Sequence, residues 1–308
     1  MKKYALFVGA LFILPLVFFA PRAHALQLSP TIFDISAKPG QTIVKSVRLG
    51  NETKEDLTLT YQTGIFEAAP EGNGVPRLLP APKDINSIAN WISVTTPQIT
   101  LRPGEKVDAP FTITIPENAE PGGHYAWIAW NEAPGKTDGT GVAISCGIAT
   151  QILLRVDGDA KEGLILRSFS TKDGKTNFEK LPVSFVATIY NDGNVHEKPR
   201  GEVVIKNMLG STVGKLPFND VKDTGNILPK QDRSYNVEWN NGIAFGKYTA
   251  QLNAQYADGK TISGEVHFWV LPKVLFAVWL LIITIVSFII IMAVVQAIKK
   301  KNKRIVTK

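Results

Sequence analysis

Apolar and polar residues alternate with a period of two along much of this chain. In Tyr248-Thr-Ala-Gln-Leu-Asn-Ala-Gln-Tyr256 the residues Tyr248, Ala250, Leu252, Ala254 and Tyr256 fall on one side and Thr249, Gln251, Asn253 and Gln255 on the other. Successive side chains of a strand point to opposite faces, so this pattern predicts a half-buried strand with the first set in the core. Comparable runs are QTIVKSVRL, LTLTYQT, APFTITI, VAISCGIATQILLRV, VSFVATIY, GEVVIKN and EVHFWV, rich in Val, Ile, Thr and aromatics and separated by Gly, Pro, Asn and Asp. No long amphipathic helical period interrupts them. Many short strands between turns predict an all-β protein built from sandwiches.

The pattern is stated twice. Val47-Arg-Leu-Gly-Asn51-Glu-Thr is a strand running into an Asn-led turn, and so is Ala187-Thr-Ile-Tyr-Asn191-Asp-Gly. Farther on, Leu101-Arg-Pro103-Gly-Glu leads into FTITIPE and then Gly123-His-Tyr125. Its counterpart is Leu228-Pro229-Lys-Gln-Asp, then YNVEW, then Gly246-Lys-Tyr248. A tyrosine at such a corner of an immunoglobulin-like domain bonds the backbone and pins the crossover. The expectation is two tandem immunoglobulin-like sandwiches, residues 26–157 and 158–271, joined across Asp157-Gly-Asp159.

Both ends depart from this alternation. Lys2 and Lys3, an apolar stretch from Tyr4 to Ala20, and Ala23-His24-Ala25 read as a signal peptide over residues 1–25. From Val274 to Ile298 no residue is charged, a length of about 37 Å as a helix against a hydrocarbon core of about 30 Å. Residues 274–298 are therefore predicted to span a membrane. The tail 299–308, KKKNKRIVTK, holds six basic residues and no acid, which places it on the cytoplasmic side and the body of the chain outside. Leu271-Pro272 lacks the threonine and glycine of a cell-wall sorting signal, since Val274 and Leu275 stand there.

The charge follows from the ends. The whole chain carries 34 Lys and Arg against 27 Asp and Glu. Three of the basic residues lie in the signal peptide, six in the tail, and one is Lys273, so the body holds 24 against all 27 acids. A mildly acidic body has no basic footprint for nucleic acid. The single Cys146 has no partner for an internal disulfide and reads as a small buried hydrophobe. His196 and His267 lie in separate segments without metal-ligand spacing. No nucleophile–base pair, phosphate loop or cofactor motif is present. The chain reads as a non-enzyme without cofactor or metal.

One stretch stands apart, Glu120-Pro-Gly-Gly-His-Tyr-Ala-Trp-Ile-Ala-Trp130. Aligning Gly123-His-Tyr125 with Gly246-Lys-Tyr248 and carrying over the phase puts Tyr125, Trp127 and Ala129 inside. His124, Ala126, Ile128 and Trp130 then point outward, His124 as a surface residue at a strand start. In the strand from Val142 to Val156 the same reasoning buries Val142, Ile144, Cys146, Ile148, Ile152, Leu154 and Val156. Ala143, Ser145, Gly147 and Ala149 would lie outside, beside Ile128 and Trp130. Such a trough suits a partner or a sugar face, so Ile128, Trp130 and His124 are the candidate partner-binding residues. The competing reading covers this face with the connection 67–90 or with the second domain.

The order of parts resembles the bacterial WxL-interacting protein family. The resemblance is carried by Ser29-Pro30-Thr-Ile-Phe33-Asp34, Lys38-Pro39-Gly40-Gln, Leu49-Gly-Asn51-Glu-Thr53, Trp91-Ile92, Ile99-Thr-Leu101-Arg-Pro103-Gly-Glu105 and Ile115-Pro116 before Pro121-Gly122-Gly123. It implies a membrane-anchored surface protein whose first domain binds peptidoglycan, or which engages a surface protein partner. The second domain departs from the family pattern, and a host-binding role is not carried over. The alternative expectation is a membrane-anchored chaperone or assembly factor that pairs a strand edge with secreted subunits. Its signature would be paired basic residues beside an open edge, for which Arg48 and Arg102 are the candidates.

Overall fold

A computed structural model describes residues 26–69, 74–132, 147–220, 225–242 and 244–306. Among the described residues the chain is all-β apart from a one-turn helix and one long apolar helix at its C-terminal end. It divides into two compact units. One takes the chain up to Glu67 together with Leu78–Asp159, and the other takes Ala68–Arg77 together with the chain from Ala160 onward. The predicted signal peptide and Cys146 lie outside the described residues.

The first unit begins with β1 (Leu26–Ser29), β2 (Ile32–Ala37), β3 (Thr42–Asn51) and β4 (Leu57–Ala68). After β5 (Pro76–Pro80), which enters this unit at Leu78, come the short helix α1 (Ile88–Trp91), β6 (Ile92–Val94) and β7 (Gln98–Leu101). β8 (Lys106–Thr114), β9 (Gly122–Glu132) and β10 (Gly147–Val156) complete it. One sheet runs β1-β3-β8-β6 and the other β2-β10-β9-β4-β5, with β7 also on β4. The first strand is divided between them. β1 pairs antiparallel with β3, and after Pro30 the chain crosses over so that β2 pairs parallel with β10. Val47, Leu49, Phe111 and Ile113 from one sheet and Leu59, Ala126, Ile152 and Leu154 from the other close a single apolar core.

The second unit runs β11 (Leu164–Thr171), β12 (Asn177–Phe178), β13 (Val183–Asn191), β14 (Arg200–Asn207) and β15 (Thr212–Phe218). It ends with β16 (Asp232–Trp239), β17 (Gly246–Tyr256), β18 (Lys260–Val270) and the helix α2 (Lys273–Val306). Its sheets are β11-β13-β16 and β12-β18-β17-β14-β15. Tyr248, Ala250, Leu252 and Ala254 of β17 are buried, as their alternation predicts. Phe185, Trp239, Tyr248 and Phe268 pack ring against ring between the sheets. Val278–Gln296 within α2 has a mean hydropathy of 3.1, long and apolar enough to cross a membrane.

The two Asn-led turns share one hydrogen-bond scheme. Asn51 Nδ2 donates to the carbonyls of Glu55 (2.7 Å) and Leu101 (2.9 Å), while its Oδ1 accepts from the Thr53 amide. Asn191 Nδ2 donates to the carbonyls of Val195 (2.7 Å) and Ile227 (2.9 Å), and its Oδ1 accepts from the Gly193 amide. The backbone repeats too. Asn51 N–H donates to Glu105 and Gly104 N–H to Asn51, as Asn191 N–H donates to Gln231 and Lys230 N–H to Asn191. Both asparagines are buried, so each amide needs these backbone partners to stay satisfied.

Candidate functional site

The stretch that promised a binding face forms β9, and its phase is opposite to the expected one. Ala126, Ile128 and Trp130 are buried within the core of the first unit, Ile128 and Trp130 each only 1 % exposed. Register shows why. Gly122 pairs with Val156 at the start of β9, as Gly246 pairs with Val270 at the start of β17. Both glycines have positive φ, 131° and 104°. Gly122, not Gly123, is thus the counterpart of Gly246, and His124 stands where Tyr248 stands. A one-residue shift in a period-two element exchanges the two faces entirely.

Each candidate residue can now be placed. Trp130 lies opposite Ile148 and against Tyr61, with ring centroids 6.0 Å apart. Ile128 lies opposite Thr150, whose buried hydroxyl donates to the Pro30 carbonyl at 3.0 Å. His124 is half-buried, its ring 4.9 Å from that of Trp91 and its Nε2 2.9 Å from the Glu120 carbonyl oxygen. Tyr248 meets Trp239 comparably, edge to face with ring centroids 5.1 Å apart, and its hydroxyl also bonds the backbone of Phe245. Tyr125 instead leans on Phe66 from the other face of its sheet, so the two tyrosines are not equivalent corners.

The opposite face of β9 is covered by its own unit. The Trp127 indole donates to the carbonyls of Ile65 (2.9 Å) and Leu79 (3.0 Å), and Gly64 leaves room for that ring where any Cβ would collide with it. In β10, Ile152, Leu154 and Val156 are in the core as expected, while Leu153 is buried on the reverse side. Val142 to Cys146 lie outside the described residues. Among the described residues Ile128 and Trp130 therefore form no outward trough with small neighbours: Gly147 and Ala149 oppose Asn131 and Ala129.

The basic pair fares no better as an anchor. Arg48 on β3 grips Asp108 on β8 with both prongs, at 2.8 and 3.0 Å. That bond holds the Asp108 carboxyl below the ordinary aspartate range. Arg102 stands in the turn before β8, where its amide donates to the Glu105 carboxylate at 2.8 Å. Among the described residues no group of His, Cys, Asp and Glu is arranged to hold a metal.

What remains available is backbone. β1 covers only Arg48–Asn51 of β3, and β2 covers only Gln151–Val156 of β10. Among the described residues, no strand lies on the outer side of β3 from Thr42 to Val47 or of β10 from Gly147 to Thr150. No sequence signal marked these openings, which arise because the first strand changes sheets at Pro30.

No family model matches this chain. No curated protein does either. Among solved structures it is similar to the class 5 fimbriae chaperone CfaA, with 15 % identity over 80 % of this chain and 100 % of that one, at a TM-score of 0.40. The chaperone DraB of E. coli matches at 13 % identity over 79 % of this chain and 97 % of its own, with a TM-score of 0.36. The CsuC–CsuE chaperone–tip adhesion subunit pre-assembly complex of Acinetobacter baumannii matches at 13 % over 78 % and 97 %, with a TM-score of 0.38. Each of these neighbours is or contains a chaperone, and none is described as binding peptidoglycan. With Ile128 and Trp130 in the core, the expectation of a peptidoglycan-binding surface protein is withdrawn.

Proposed function

We propose that this chain is a membrane-tethered assembly factor that receives an extended segment of a secreted or surface protein along an open strand edge, without making or breaking a bond. The observation that carries this reading is the division of the first strand, which leaves one edge of each sheet of the first unit half-covered. The free stretch of β10 spans about 13 Å and that of β3 about 20 Å, enough for four and six residues of an added strand. Sheet edges are normally blunted. β5 carries Pro76 and Pro80 at its ends, and β6 is only three residues long. Gly147-Ile-Ala-Thr150 has neither proline nor charge, and such an edge can pair with an incoming strand through main-chain hydrogen bonds.

In this reading the two units are tandem immunoglobulin-like domains. α2 spans the cell membrane, with residues 26–271 outside and the basic end of the chain in the cytoplasm. The kinship with WxL-interacting proteins is part of the same proposal, resting on the order of parts and the motifs of the first unit. The test is photo-crosslinking in the full-length protein, with a reactive residue at Ala149, at Lys45, or at Gln251 as a control. Adducts with secreted polypeptides at Ala149 or Lys45 and none at Gln251 are expected. Equal labelling at all three positions, or none at either edge, would overturn the reading.

A further inference from the structure

The end of the second unit from which α2 departs gathers several exposed apolar side chains. Register brings several segments to it. Gly246, opening β17, pairs with Val270, closing β18; Tyr248 pairs with Asn207, closing β14; and β12 pairs with the last two residues of β18. The turn between β14 and β15, the loop before β17 and the exit of β18 thus share one rim. On it Met208 is 67 % exposed, Leu209 83 %, Phe245 56 %, Trp269 40 % and Leu271 45 %. Among the other described residues between β11 and β18, only Ile165 and Val213 are large, apolar and comparably exposed. Folding alone gives no reason to concentrate such side chains at one end.

The chain itself says what lies beneath this rim. Only Leu271 and Pro272 separate β18 from α2, at most about 11 Å of extended chain between Val270 and Lys273. Even that short link is tied down. Leu271 N–H donates to the Phe178 carbonyl at 2.7 Å, and Lys273 pairs with Glu179. If α2 spans a bilayer, the rim is held at the lipid surface. Its charge suits that position. The rim segments 171–182, 206–211, 239–247 and 269–273 contain Lys172, Lys175, Lys180, Lys206, Lys247 and Lys273 against the acids Asp173 and Glu179.

We propose that this rim is a docking surface for anionic lipid. Met208, Leu209, Phe245, Trp269 and Leu271 enter the headgroup region, and the surrounding lysines face the phosphates. Aromatic and aliphatic side chains at interfacial depth, with lysines reaching to the surface, are the chemistry of membrane-surface binding. The inference rests on the anchoring role given to α2 above, and it adds that the second unit is held against the membrane and does not swing free on its tether.

Spin labels read this directly in the full-length protein, with Cys146→Ser as background, reconstituted in phosphatidylcholine vesicles with and without phosphatidylglycerol. Labels at Leu209→Cys and Phe245→Cys report the rim, Asp258→Cys the opposite end of the β17–β18 hairpin, and Ile285→Cys the middle of α2. The expected result is that Leu209 and Phe245 are more accessible to oxygen and less to a polar nickel chelate than Asp258. The two labels should move outward when phosphatidylglycerol is omitted. Rim labels that match Asp258 while Ile285 reads deep would overturn the docking and leave the anchor standing. Rim labels shielded from both reagents would show a protein cover and overturn it equally. An aqueous Ile285 would remove the anchor, and this inference with it.

Discussion

Replacing Asn51 by alanine removes the side-chain donor to the carbonyls of Glu55 and Leu101 in the first unit, and Asn191→Ala does the same to Val195 and Ile227 in the second, where Ile227 keeps its bond from the Glu197 amide. Leu101 and Ile227 are both buried, so water does not replace the lost donor there. Each of the three lost hydrogen bonds costs about 0.5–1.5 kcal/mol. Together these put each alanine variant at about 3 kcal/mol, a large share of the roughly 5–15 kcal/mol that holds a domain folded. Aspartate is the sharper probe. It keeps the acceptor for Thr53 or Gly193 but sets an oxygen against two carbonyl oxygens, so at neutral pH it should cost at least as much as alanine. Protonation restores one donor, which raises the folded-state pKa of the new carboxyl. Asn51→Asp should therefore regain stability as pH falls through that raised value, whereas Asn51→Ala should not. Urea titration of the full-length protein in micelles, followed by hydrogen-exchange mass spectrometry, assigns each loss to its own unit. A loss below about 1 kcal/mol for alanine, or an aspartate variant as stable as wild type at neutral pH, would refute the argument.

Trp130→Ala should cost about 3–5 kcal/mol through the cavity left in the core; an intact first unit by the same exchange measurement would contradict the burial of its ring. Asp192 receives hydrogen bonds from Lys230 and Lys161, which hold its carboxyl below the ordinary aspartate range. A depressed folded pKa gives stability that is present above the unfolded value of about 3.9 and lost as pH falls through the lower folded value. Asp192→Asn should flatten that acid limb, and an identical limb in the variant would count against the Lys230 and Lys161 contacts.

The strands with clean alternation were legible in sequence. LTLTYQT, VSFVATIY, GEVVIKN and YTAQLNAQY lie within β4, β13, β14 and β17, because one face of each meets the core and the other meets solvent or cover. The Asn-led turns were legible as a repeat, since a buried asparagine has few substitutes for bonding two carbonyls and an amide at once. The phase of β9 was not. Gly122-Gly123 offers two positions for one structural glycine, and both faces of the strand are apolar: Ala126, Ile128 and Trp130 on one, Trp127 and Ala129 on the other. The alternation there carries no sign, and only the pairing with β10 supplies it. The half-open edges were invisible for a different reason. An edge is defined by which neighbour is missing, and the crossover that removes it depends on contacts 120 residues apart, such as Thr150 with Pro30.

The join between β18 and α2 also governs how the molecule takes strain. If α2 is anchored in a bilayer, a pull from it enters β18 at its C-terminal end, and β18 is matched to β17 over eleven consecutive pairs, Gly246↔Val270 through Tyr256↔Lys260. The hydrogen bonds of that ladder lie across the strand, so they are sheared together and are not peeled one at a time. If the proposed tether and client are right, a client ladder of about four to six residues is shorter than this one of eleven pairs and parts before β18 is stripped from β17.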